Sequence, residues 1–104
     1  MPTDQYSIYD TDGGRVIAFQ GQLHAAACGA MNDQVMQAVE DTEGTLTFDL
    51  MAVTFVASSF LRIVLAANRL KSRSGFEIIN VQPDVKKVFK LAGLWDALKV
   101  SEVK

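Results

Sequence analysis

Residues 45 to 73 place a strand pattern and a helix pattern almost back to back, and that handover constrains the fold more than any other feature. Leu46, Phe48 and Leu50 alternate with Thr45, Thr47 and Asp49, the period-two signature of a strand with one buried face. After the apolar loop expected around Val53-Thr54-Phe55, the residues Phe60, Ile63, Val64, Ala67 and Leu70 recur at helical spacing. They predict a helix from Ser58 to about Arg73, with Leu61 and Leu65 widening its buried face. Two hydroxyls, Ser58 and Ser59, therefore stand where a strand passes its chain to a helix N-terminus. Serine there is a good N-cap, worth about 1 kcal/mol. The same place presents free N–H groups and the positive end of the helix dipole, where an added phosphate would be well received.

The flanking residues continue the alternation. Tyr6-Ser7-Ile8-Tyr9 and Arg15 to Gln20 read as strands, and the Asp10 to Gly14 segment between them supplies residues that tolerate positive φ, so a hairpin is expected. Gly21 ends the second strand in this reading. Cys28, Met31, Val35 and Ala38 share one face of a helix over 25–39, which Glu43-Gly44 breaks. Phe76 to Val81 is a further strand. Gln82-Pro83 opens a helix whose Val85, Val88, Phe89 and Ala92 face inward, and Gly93 stops it. Leu94, Trp95 and Leu98 form a last helical turn, with Val100 to Lys104 fraying. The order is β-β-α-β-α-β-α-α, an α/β fold with a mixed sheet, a hairpin start and flanking helices. Periodicity leaves the strand order open.

Composition narrows the classes. The chain has 104 residues with 49% apolar and 21% charged side chains, which describes one globular domain over 1–104. No stretch approaches the ~20 apolar residues of a bilayer span, and Met1 to Gln5 lack a leader's basic and apolar regions, so a cytoplasmic location is expected. A single cysteine, Cys28, and a single histidine, His24, exclude an internal disulfide and a zinc-type ligand set; no cofactor or metal is expected. Residues 1–52 carry one basic and eight acidic side chains, residues 53–104 nine basic and four acidic. Arg69, Lys71 and Arg73 close one helix, where cations suit the dipole, while Lys86, Lys87 and Lys90 line another. Solvated helix faces explain this better than a nucleic-acid surface, because no aromatic residues are interleaved with the bases.

Taken together, Asp49-Leu50 with Val53-Thr54-Phe55, the Ser58-Ser59 helix start, Gly21-Gln22-Leu23, and Asn80-Val81-Gln82-Pro83-Asp84-Val85 resemble the STAS domain family of the anti-sigma-factor-antagonist type. The resemblance implies a small mixed sheet with helices and a binding module rather than a catalyst. Its partner would be an anti-sigma factor with serine kinase activity, and phosphorylation would release that partner. By position in the family's Asp-Ser-(Ser/Thr)-Gly loop, Ser58 is the implied phosphoacceptor and Ser59 the alternative. Ala57 stands where the family has an acidic residue, Phe60 where it has glycine, and His24 where it often has aspartate. The implied partner-binding residues are His24, Ala57, Ser58, Ser59, Phe60 and Leu61. A second role that the resemblance implies is a STAS subunit supporting the ATPase of a lipid-transport ABC complex.

Each of these residues also has a plainer reading. Ser58 and Ser59 can share capping and display. Phe60 is either an exposed apolar anchor or a core residue, while Leu65 is expected inside. His24 with Ser58 suggests a small hydrolase, but no third orienting group accompanies the pair; an exposed helix start suits His24 better. Cys28 reads as a small buried hydrophobe and Trp95 as packing at the core edge. Oligomeric state is not legible in the chain.

Overall fold

The structure, a computed structural model, describes residues 5–104; Met1 to Asp4, read above for the absence of a leader, lie outside the described residues. Its elements run β1 (Tyr6–Thr11), β2 (Gly14–Leu23), α1 (Ala25–Glu40), β3 (Thr45–Val56), α2 (Ser58–Lys71), β4 (Phe76–Val81), α3 (Pro83–Leu91) and β5 (Val100–Glu102). The five strands form one sheet in chain order, β1 antiparallel to β2 and every later neighbour parallel. Parallel neighbours require crossovers, and each of the three crossovers holds a helix.

One apolar cluster holds these layers together. Ile17 and Phe19 on β2, Leu46, Phe48 and Leu50 on β3, and Phe76 and Ile78 on β4 are buried on the face that receives Met31 and Val35 of α1 and Phe60, Ile63, Val64 and Ala67 of α2. Val85 and Phe89 of α3 belong to the same cluster. At the end of the sheet away from the serines, Arg15 donates to Asp10 at 2.7 Å and to the Ala38 carbonyl at 2.9 Å, tying the hairpin to α1. That hydrogen bond holds the exposed Asp10 carboxyl below its ordinary range. Lys71, in the last turn of α2, donates to the Glu40 and Thr42 carbonyls at 3.2 and 2.9 Å, which satisfies backbone acceptors where α1 ends.

The α/β class and element order are as the sequence implied up to α3, and four details differ. The hairpin turns at Asp12-Gly13 without left-handed backbone, which occurs instead at Gly21, Gly44, Gly75, Gly93 and Asn80. Gly21, with φ 81°, continues β2 rather than ending it; it sits at a register shift against β3, where a side chain would be strained. The loop expected after Leu50 is strand, because β3 runs on to Val56 paired with β2. Finally, Val100–Glu102 does not fray but pairs with β4, with the Val103 N–H donating to the Val81 carbonyl at 3.0 Å; the segment before it is turns rather than helix.

Gly14 marks a close approach of two backbones. A Cβ built there lies 1.9 Å from the Thr45 carbonyl oxygen, so the strands would have to separate to admit it. Gly14→Ala is expected to lose about 1–3 kcal/mol of stability, measured by denaturant unfolding.

Candidate functional site

The site begins with the overshoot of β3. Its pairing with β2 ends at Gln22↔Phe55 and Leu23↔Val56, after which the Ala57 N–H donates to the Leu23 carbonyl at 2.9 Å. That bond joins the starts of α1 and α2, so His24 and the Ala57-Ser58 pair share one rim. At this rim the Nδ1 of His24 accepts from the Ala27 N–H at 3.2 Å and caps α1. The expected exposed helix start for His24 is what the structure shows, with the ring doing the work that aspartate or serine commonly does.

The α2 terminus is built differently. Its N-cap is Ala57, which has no side chain to cap with, and the Phe60 N–H returns to the Ala57 carbonyl at 3.0 Å. Neither serine caps the helix, contrary to the shared capping and display expected above. Ser58 is exposed and Ser59 half-buried, and the hydroxyl of Ser58 makes no hydrogen bond to any described residue. The first amides of the helix are thus left for solvent or a partner.

Phe60 resolves toward the core. It is 0% exposed and meets the ring of Phe19 edge-on with centroids 5.0 Å apart, while Phe19 and Phe48 are 4.9 Å apart. An apolar anchor for a partner at this position is therefore corrected: consecutive helical residues turn by about 100°, so pulling Phe60 into the core turns Ser58 outward. Leu61 is half-buried against the core, as is Ala57 at the helix entry. Leu65, expected inside, is 42% exposed, and Leu70 is also exposed, because the buried arc is already filled by Phe60, Ile63, Val64 and Ala67.

Beside the rim, α1 and α2 leave a cleft of about 350 Å³ whose lining includes Cys28, Gly29, Ser59, Arg62 and Ile63. Burial pushes the Cys28 thiol up, consistent with its reading as a hydrophobe. Gly29 carries no signal in the sequence, whereas Arg62 follows Ser58 by four residues and so shares its helix face. Met51 and Phe55 are both about half exposed on the overshooting part of β3; Phe55 belongs to the motif that carries the resemblance, whereas Met51 was not singled out, because its apolar run hides a strand. No hydrogen bond joins His24 to Ser58 among the described residues, and the capping nitrogen of His24 is already occupied. Elsewhere Lys86 pairs with Glu102 at 3.2 Å and lies 4.8 Å from the Trp95 ring centre, which makes it a packing group rather than a free phosphate contact. Among the described residues no group of three or more His, Cys, Asp and Glu side chains could hold a metal. No helix among them is long and apolar enough to cross a membrane.

A family model described as the Mlab, STAS domain matches residues 8–100. The chain belongs to the STAS domain family. Solved structures agree with this architecture. An anti-sigma factor antagonist from Mycobacterium paratuberculosis superposes with a TM-score of 0.83 at 26% identity, covering 92% of this chain and 83% of that one. A STAS domain protein from Planctomyces limnophilus reaches 0.85 at 17% identity over 95% and 91% of the two chains. The Bacillus cell fate determinant SpoIIAA in its phosphorylated form reaches 0.68 at 22% identity over 95% and 92%. No curated protein matches the chain in sequence.

Substitutions at two positions separate the roles in this STAS domain. Phe60→Ala is expected to cost about 3–5 kcal/mol, the usual loss for a buried aromatic ring, whereas His24→Ala loses only the cap, about 1 kcal/mol, which His24→Asp restores. Urea denaturation of the three variants measures both.

Proposed function

We propose that this STAS domain is a regulatory docking module that binds a protein partner through the rim formed by His24, Ala57, Ser58 and Ser59. The partner of first choice is an anti-sigma factor with serine kinase activity. Ser58 is its phosphoacceptor, with Ser59 the alternative. The observation that carries the reading is the free hydroxyl of Ser58 at the uncapped start of α2. A serine kept for the fold would cap the helix; this one is displayed instead, beside a second helix start. The likeness to the Mycobacterium antagonist supports the class of partner. A phosphoryl group on Ser58 adds about −1.5 to −2 charge at pH 7. The helix terminus tolerates that charge, and a partner surface fitted to a neutral hydroxyl does not. The fold persists while the interface is lost.

A second reading keeps the rim and changes the partner. The family model that matches is the Mlab type, and Ala57 departs from the acidic residue of the antagonist loop, which favours a STAS subunit attached to the ATPase of a lipid-transport ABC complex. In that role Ser58 docks without being modified.

The two readings part in one experiment. The protein is recovered from its source cells with its partner, and its intact mass is taken before and after phosphatase. An anti-sigma kinase together with a phosphate mapped to Ser58 supports the first reading, and an ABC ATPase with unmodified serine the second. Recovery of neither rejects both. With the recovered partner in hand, Ser58→Glu is expected to weaken binding by about tenfold or more in isothermal titration, roughly 1.4 kcal/mol, with no fall in Tm.

A further inference from the structure

The ladder between β3 and β4 stops at Asp49↔Ile79, yet β3 runs seven residues further, to Val56. At the point of departure the backbone of Met51 is held by side chains. Its N–H donates to Asp49 Oδ1 at 3.0 Å, and its carbonyl accepts from Gln82 Nε2 at 2.8 Å. Asp49 Oδ1 also accepts from Asn80 Nδ2 at 3.1 Å. Asn80 itself is the one described non-glycine residue with left-handed backbone, φ 60°, a conformation asparagine tolerates better than most residues. Just here β3 also shifts register against β2, between Ala18 and Gln20, so the strand leaves one neighbour and slips against the other at the same residue.

Gln82 shows that this arrangement is not incidental to the helix that follows. It is the N-cap of α3, the position where a short hydroxyl or carboxylate best serves the first turn. Its side chain makes no cap bond and reaches across to β3 instead. The geometry points to Asp49, Asn80 and Gln82 as a side-chain clamp that takes over from the ladder at Met51 and sets the course of Ala52 to Val56, and through it the position of Ala57 and Ser58 at the docking rim. These three are positioning residues: none lies on the rim, and each acts through the β3 overshoot. This assignment rests on the reading of the rim as the docking surface, but its test needs no partner, so the two can fail separately.

The decisive variant is Gln82→Ser, which removes the clamp bond while supplying α3 with a better cap; Asn80→Gly is the second, since glycine accepts a φ of 60° and removes only the carboxamide. Amide hydrogen exchange is followed residue by residue alongside thermal unfolding. The clamp predicts exchange about tenfold faster over Ala52 to Ser59, with shifted amide resonances at Ser58 and Ser59, while Tm and the exchange of 16–19, 46–48 and 76–79 stay as in the parent. Unchanged exchange at the rim overturns the clamp, and so does acceleration spread evenly through the sheet, which marks a general loss of stability. If the rim loosens as expected and the partner still binds both variants with the parent's affinity, the clamp stands as a local device and the rim fails as the docking surface.

Discussion

The contact of Phe60 with Phe19 and Phe48 is the constraint on which the site depends. It pins the first turn of α2 to the middle of the sheet with rings 5.0 and 6.2 Å apart. Because α2 is rigid, fixing one residue of its first turn fixes the direction of all of them. Ser58, two positions earlier, is rotated by about 200° and faces outward. A glycine at position 60 would leave the entry slim but could not orient it. In this chain the bulk of Phe60 lies underneath the proposed docking rim rather than on it, so the departure from the family's glycine is what turns the serine outward.

The ends of α1 and α2 are adjacent but treated oppositely. His24 satisfies the first turn of α1 with its ring, while Ala57 leaves the first turn of α2 open. An absent cap costs a helix about 1 kcal/mol, and full burial of a phenylalanine stabilises by about 1.5–3 kcal/mol. The second quantity is the larger, so α2 can start at Ser58 without help from either serine. That balance is what makes a displayed hydroxyl compatible with a well-formed helix.

Much of this was legible in the chain. The buried face of α2 could be read from Ile63, Val64 and Ala67, and the strand at 45–50 from its alternation, because both elements follow their ideal periods. The β3 overshoot could not, since two register shifts between β2 and β3 break the alternation of Met51 to Val56 and leave an apolar run that looks like a loop. The strand at Val100–Glu102 has three residues, too few for any period to show. At the site, the resemblance located Ser58 but could not tell cap from display. That choice depends on where the helix begins, and sequence patterns fix boundaries only to within a few residues.

The same boundary explains why the two readings of the partner are so close. The features that the structure supplies around the proposed rim, the uncapped N-terminus at Ala57, the outward hydroxyl, the neighbouring imidazole and the exposed Phe55, suit either proposed partner whether or not a phosphate is ever attached. Loss of the acidic residue before the serine makes the rim less negative, which lowers the repulsion an incoming phosphate would meet and equally suits an acidic or apolar partner held permanently. A switch and a constant adaptor therefore share one physical design, and they differ only in whether a kinase ever acts on the hydroxyl that both display.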